Sequence, residues 1–146
     1  MALTLPHSLP AQGSNVLSVA EPQKVTLRRD VPMVVKLDLS IRDGYHVNSD
    51  MPDDPYLIPL KLTWNESVVK VQKVEYPKAQ KQTFEFNPKP MSVFAGNFRI
   101  ATTLVAPATA PAGPNIVTAK LRYQACSDTA CLPPKTIEVK LPVIIQ

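Results

Sequence analysis

Glycine is scarce in this chain, basic residues are not gathered into stripes, and no apolar run approaches the roughly 18 consecutive residues a membrane-spanning helix requires. Each shortage excludes something. Without long apolar runs there is no helical membrane span, and no direct membrane insertion of this segment is expected. The 16 Lys and Arg against 12 Asp and Glu give a formal charge of +4. They are scattered singly or in pairs, the densest being Arg28-Arg29. With no basic face interleaved with aromatics, nucleic acid is not an expected partner. No glycine-rich fingerprint for a nicotinamide or flavin is found, so no cofactor is expected. The opening segment, Met1-Ala2-Leu3-Thr4-Leu5-Pro6-His7, lacks the basic and apolar regions of a signal peptide.

What is present is proline, 16 residues of it against 4 glycines. Proline at that density breaks helices and frames edge strands. Between the prolines, apolar residues alternate with polar ones. Met33, Val35, Leu37, Leu39 and Ile41 repeat at the period of a strand with one buried face. The same holds from Ile58 to Trp64, from Phe98 to Leu104 and from Ile137 to Val143. From Val68 to Tyr76 the apolar parity switches between Val71 and Val74, as an inserted bulge residue makes it do, and this predicts a strand at a sheet edge or bend. Shorter strands are predicted at Val16–Val19, Val25–Arg28 and Gln82–Phe86. Seven to nine strands with no helical period predict an all-β fold, an immunoglobulin-like antiparallel sandwich of two sheets. Residues 1–15 lack pattern and are expected to form a flexible arm or an added edge strand, leaving one domain over residues 16–146. Loops are expected at Asn87–Met91 and Ala106–Pro114.

The two cysteines, Cys126 and Cys131, are five positions apart. A disulfide between them closes a loop of about six residues, for which loop entropy gives only about 2 kcal/mol. Such a bond is a poor staple. Two readings follow: a pair made and broken in use, or an inert hairpin disulfide in a non-catalytic binding module of an envelope protein. A zinc site is disfavoured, because two cysteines without a His or Cys cluster do not complete a tetrahedral shell. The preceding strand buries Val117, Ala119, Leu121 and Tyr123. Continued parity places Cys126 on the outward face, open to exchange. Asp128 between the cysteines disfavours a thiolate, whereas Lys120, Arg122 or Lys135 would favour one if near.

Other polar residues carry less. His46, between Tyr45 and Val47, is expected to be a hydrogen-bonded packing residue, since no nucleophilic serine constellation surrounds it. Asp50, Asp53 and Asp54 lack the glycine and distal glutamate of a calcium loop and predict a solvated turn. Trp64 is expected in the core, and the four dispersed methionines do not make a copper cluster.

Tyr123-Gln124-Ala125-Cys126 followed by Cys131-Leu132-Pro133-Pro134, with Gly44-Tyr45-His46-Val47-Asn48-Ser49 and Tyr56-Leu57-Ile58-Pro59 upstream, resembles the periplasmic N-terminal domain of the DsbD thiol:disulfide interchange family. The similarity runs from about Val16 to the C-terminus. It implies an immunoglobulin-like fold and the thiol-disulfide oxidoreductase module of a protein-disulfide reductase. Electrons would come from a membrane-embedded or thioredoxin-like donor and pass to disulfide isomerases, other thioredoxin-like redox proteins and proteins of cytochrome c biogenesis. It implies that Cys126 and Cys131 are the redox pair, with Cys131 forming mixed disulfides and Tyr123 near the site. It also implies a cap loop with a shielding aromatic. Val93-Phe94-Ala95-Gly96 looks like that segment, with Phe94 as the ring and Gly96 beside it; the alternative for Phe94 is an ordinary core aromatic. Better-known members have one more residue between the cysteines, and their acidic cap residues have no match at Ser92 and Val93. The implied compartment is the periplasm, with an export signal and any membrane segments lying outside this sequence.

Overall fold

The computed structural model describes residues 15–146, so the arm expected at the N-terminus lies almost wholly outside the described residues. Twelve strands follow in order: β1 (Leu17–Val19), β2 (Val25–Leu27), β3 (Met33–Ile41), β4 (His46–Asn48), β5 (Lys61–Trp64) and β6 (Lys70–Glu75). The second half contributes β7 (Gln80–Phe84), β8 (Asn87–Phe94), β9 (Asn97–Val105), β10 (Gly113–Tyr123), β11 (Ala125–Cys126) and β12 (Lys135–Ile145). Among the described residues no helix forms. The all-β expectation holds, and the long strands fall where apolar alternation places them, because a period of two is what a strand with one buried face requires.

The arrangement is richer than two antiparallel sheets. One four-stranded sheet has the order β1-β3-β9-β6 and another β2-β12-β10-β5. These pack their apolar faces together: Leu37, Leu39, Ile100 and Leu104 of the first join Leu62, Val117, Leu121 and Leu141 of the second in one core. Within it the Trp64 indole nitrogen donates to Thr102 Oγ1 over 3.0 Å, satisfying both buried polar atoms. β2 runs parallel to the end of β12, an exception to the antiparallel expectation. β6 lies at a sheet edge, with a register shift between Val71 and Lys73 where the apolar parity switches.

The third sheet, β11-β4-β8-β7, positions the cysteines. Its strands are short and their two faces serve different purposes. Ala125, Val47 and Phe94 are successive cross-strand partners, share one face, and belong to the main core. The opposite face carries Cys126 and His46, and beside them a separate apolar cluster of Phe84, Met91 and Val93 with Leu57 against it. The segment expected as a loop at Asn87–Met91 is instead the start of β8. Pro88 and Pro90 are tolerated there because β4 reaches only Val93 and Phe94, so that edge of β8 has no ladder bond for proline to remove.

Candidate functional site

Cys126 and Cys131 are joined, with sulfurs 2.06 Å and Cα atoms 3.9 Å apart. Backbone pairing brings them together. Leu132 N donates to Ala125 O and Ser127 N to Ala130 O, each over 2.8 Å, which makes the cysteines a directly opposed antiparallel pair between two hydrogen bonds. Ser127 Oγ closes the four-residue turn, accepting from the amides of Thr129 and Ala130 at 3.3 and 3.2 Å. A serine is suited to this because its hydroxyl caps the turn without lengthening it. Gln124 Nε2 donates to Leu132 O over 3.4 Å and so ties the approach to the return strand.

The two sulfurs do not share an environment. Cys131 is exposed, while Cys126 has no exposed surface. The outward position that parity predicts for Cys126 is therefore corrected. β10 ends at Tyr123 and the chain changes sheets at Gln124, so alternation along β10 does not carry into β11. Cys126 does leave the face of the main core, but the face it joins is covered.

The cover is aromatic. His46 lies directly across from Cys126 in the β4–β11 pairing, which puts the two side chains on one face. Its imidazole stacks on Phe84 with centroids 3.9 Å apart, and Phe86 stacks on Phe84 at 5.6 Å. Phe84 ends β7 and Phe86 lies in the two-residue turn of the β7–β8 hairpin, Phe84 buried and Phe86 exposed. His46 is 3% exposed, and among the described residues its Nε2 has no hydrogen-bond partner, so it is not the hydrogen-bonded packing residue expected. Burial lowers its pKa, and the Asp128 carboxylate acts in the opposite direction.

Phe94 and Gly96 are not brought to the pair. Phe94 is 3% exposed, its ring is 5.0 Å from Phe98, and its strand partner Val47 turns it to the main core, the face opposite Cys126. That is the core alternative. Gly96 has φ 69° and sits where the chain leaves β8 for a different sheet, a crossing that a glycine backbone permits. Tyr123 is buried in the main core opposite Lys135, two positions before β11, and burial raises its phenol. The two upstream segments, Gly44–Ser49 and Tyr56–Pro59, do meet: Asn48 Nδ2 donates to Ile58 O over 3.0 Å. Asp53 lies in an exposed turn, paired with Lys81.

Sequence reasoning missed Phe84 and Phe86. The available signal was Phe84-Glu85-Phe86, two aromatics two positions apart where an alternating run ends.

Residues 14–142 match the family described as thiol:disulfide interchange protein DsbD, N-terminal. No individually curated protein matches the chain in sequence. Among solved structures, the reduced N-terminal domain of DsbD from Neisseria meningitidis is similar at TM-score 0.50 and 19% identity, over 73% of this chain and 74% of that one. The N-terminal periplasmic domain of ScsB from Proteus mirabilis is similar at TM-score 0.57 and 11% identity, over 78% of this chain. The aligned part is only 42% of that ScsB chain. At such identities the likeness is one of fold. The family match spans nearly the whole chain and contains both cysteines, and with it the chain belongs to the DsbD N-terminal family of thiol:disulfide interchange proteins.

Proposed function

We propose that residues 16–146 form a periplasmic thiol:disulfide interchange domain whose Cys126–Cys131 pair passes reducing equivalents from a membrane-embedded or thioredoxin-like donor to disulfides of thioredoxin-like partners. One observation carries this reading: the unequal burial of the two sulfurs, Cys131 exposed and Cys126 enclosed. Exchange requires a nucleophile that a partner can reach and a second thiol that acts only after the first has bonded. The Cys131 thiolate attacks one sulfur of the partner disulfide, and the other partner sulfur leaves as thiolate. Cys126 then attacks Cys131 Sγ, the intermolecular bond breaks, and its electron pair goes to the partner. The partner ends as a dithiol and this domain as the disulfide.

The short loop supports the same reading, since about 2 kcal/mol of loop entropy leaves the fold little dependent on the bond. The stack of His46, Phe84 and Phe86 takes the place of the cap sought at Phe94: it lies on the face of Cys126, and a hairpin tip can yield to a docking partner. Trapping tests the assignment. Incubated with a thioredoxin-like partner, Cys126→Ser should accumulate a mixed disulfide on a non-reducing gel, and Cys131→Ser should not. Equal trapping by both variants would contradict the assigned roles.

A further inference from the structure

Cys126 poses a problem of proton disposal. In the second half of the exchange its thiol must become a nucleophile, yet it has no exposed surface, so water is not at hand to take the proton. Burial in apolar surroundings also holds a thiol in its protonated form. The residue directly opposite Cys126 is His46, and cross-strand partners of this kind hold their Cβ atoms about 5 Å apart. His46 is itself buried, and among the described residues its Nε2 has no hydrogen-bond partner. An unsatisfied buried imidazole nitrogen is costly, and its retention beside a buried sulfur points to a state in which it is used.

We propose that His46 is the proton acceptor for the Cys126 thiol in the step that resolves the mixed disulfide. The inference rests on the exchange reading and adds a residue to it. In the mixed disulfide, with Cys131 bonded to the partner, the Cys126 S–H proton moves to Nε2 as Cys126 Sγ bonds to Cys131 Sγ. The bond from Cys131 to the partner breaks, and the partner sulfur leaves with the electron pair. The imidazolium then returns its proton to that thiolate or to solvent, so atoms and electrons balance.

The surroundings suit an acceptor. The Asp128 carboxylate of the inter-cysteine turn acts on the imidazole and partly offsets the cost that burial sets on charging it. The β7–β8 hairpin presents the uncharged rings of Phe84 and Phe86, with Glu85 between them exposed. The neighbouring strands β11 and β8 contribute Cys126 and the apolar Val93. Because burial outweighs Asp128 and lowers the pKa, the imidazole is neutral at neutral pH, which an acceptor must be.

The test uses the reduced domain and one equivalent of dithiobisnitrobenzoate. Attack by Cys131 releases a first coloured thiolate, and attack by Cys126 on the adduct releases a second. In the wild type the rate of the second release should be nearly flat between about pH 7 and 8, since proton transfer to neutral imidazole is already available. In His46→Phe, which keeps a ring on Phe84 but has no nitrogen, that rate should rise about tenfold over the same unit, following the thiolate fraction of an unaided thiol. The first release, which rests on Cys131, serves as the reference rate within each protein. The same slope in both proteins would overturn the role of His46 and leave the exchange reading standing. No first release from the wild type would overturn both. Should His46→Phe not fold, the wild type decides by nuclear magnetic resonance. The His46 ring signals should show a second inflection, from Cys126, in the reduced form and not in the oxidised form, and its absence would overturn the proposal.

Discussion

Cys126 and Phe94 illustrate how far a single residue can be placed from its neighbours in sequence. Cys126 follows the clean apolar alternation of β10 and Phe94 ends a strand without one, and in both the decisive fact is which face of the third sheet the residue joins. Phe94 points to the main core beside Phe98, whereas Phe84 lies over His46 on the other face. The two phenylalanines should therefore answer differently to truncation. Phe94→Ala is expected to cost about 3 kcal/mol or more, the range for an aromatic removed from a core. Phe84→Ala should instead speed alkylation of the reduced cysteines, because the ring restricts approach to the Cys126 face. Equal alkylation rates in Phe84→Ala and wild type would remove Phe84 from the cover. His46 adds a dependence on pH. Its folded pKa is lowered, so between that value and the unfolded value near 6.5 the unfolded chain binds more protons. Stability is then full above about pH 6.5 and declines as the pH falls below it. Thermal unfolding from neutral to mildly acidic pH should show a smaller decline in His46→Phe than in the wild type, and equal declines would contradict the burial of a neutral imidazole.

At the scale of elements, the chain crosses between sheets at two points that frame the site: Gln124 between β10 and β11, and Ala95-Gly96 between β8 and β9. Gly96 adopts φ 69°, and Ile41 N donates to its carbonyl over 2.8 Å. A Cβ there meets nothing within 4 Å, so the penalty of a side chain is conformational rather than steric crowding by neighbours. Gly96→Ala should lower stability by about 1–2 kcal/mol, the cost of a left-handed backbone for an L-residue, and leave the alkylation rate of the reduced pair as it was. An altered rate at unchanged stability would restore Gly96 to the cover. These crossings also mark where the sequence stops being legible. Strands such as β3, β9 and β12 were readable because one face is buried along most of their length, and the β6 bulge was readable from its parity switch. Parity is a property of one strand. It says nothing of a switch to a new partner, and so it put Cys126 outside and left Phe84 and Phe86 without a role. The cysteine pair itself was legible because five positions allow only a tight hairpin.

For the whole molecule, the division into a packed sandwich and a small third sheet separates stability from chemistry. The main core, which joins Leu37 and Leu141 across two sheets, contains neither cysteine. The third sheet borrows one face of that core through Val47, Phe94 and Ala125, and keeps the other for the disulfide and its aromatic cover. A bond that closes so short a loop is expected to open without unfolding the protein, since loop entropy gives it only about 2 kcal/mol. Whether it does open at a biological potential is measured by equilibrating the folded domain in glutathione or dithiothreitol buffers of graded potential and counting free thiols. A redox pair should titrate as a two-electron couple above roughly −300 mV, with the sandwich's circular dichroism unchanged across the transition. A disulfide that stays closed throughout that range, or opens only as the domain unfolds, would show that the pair is structural.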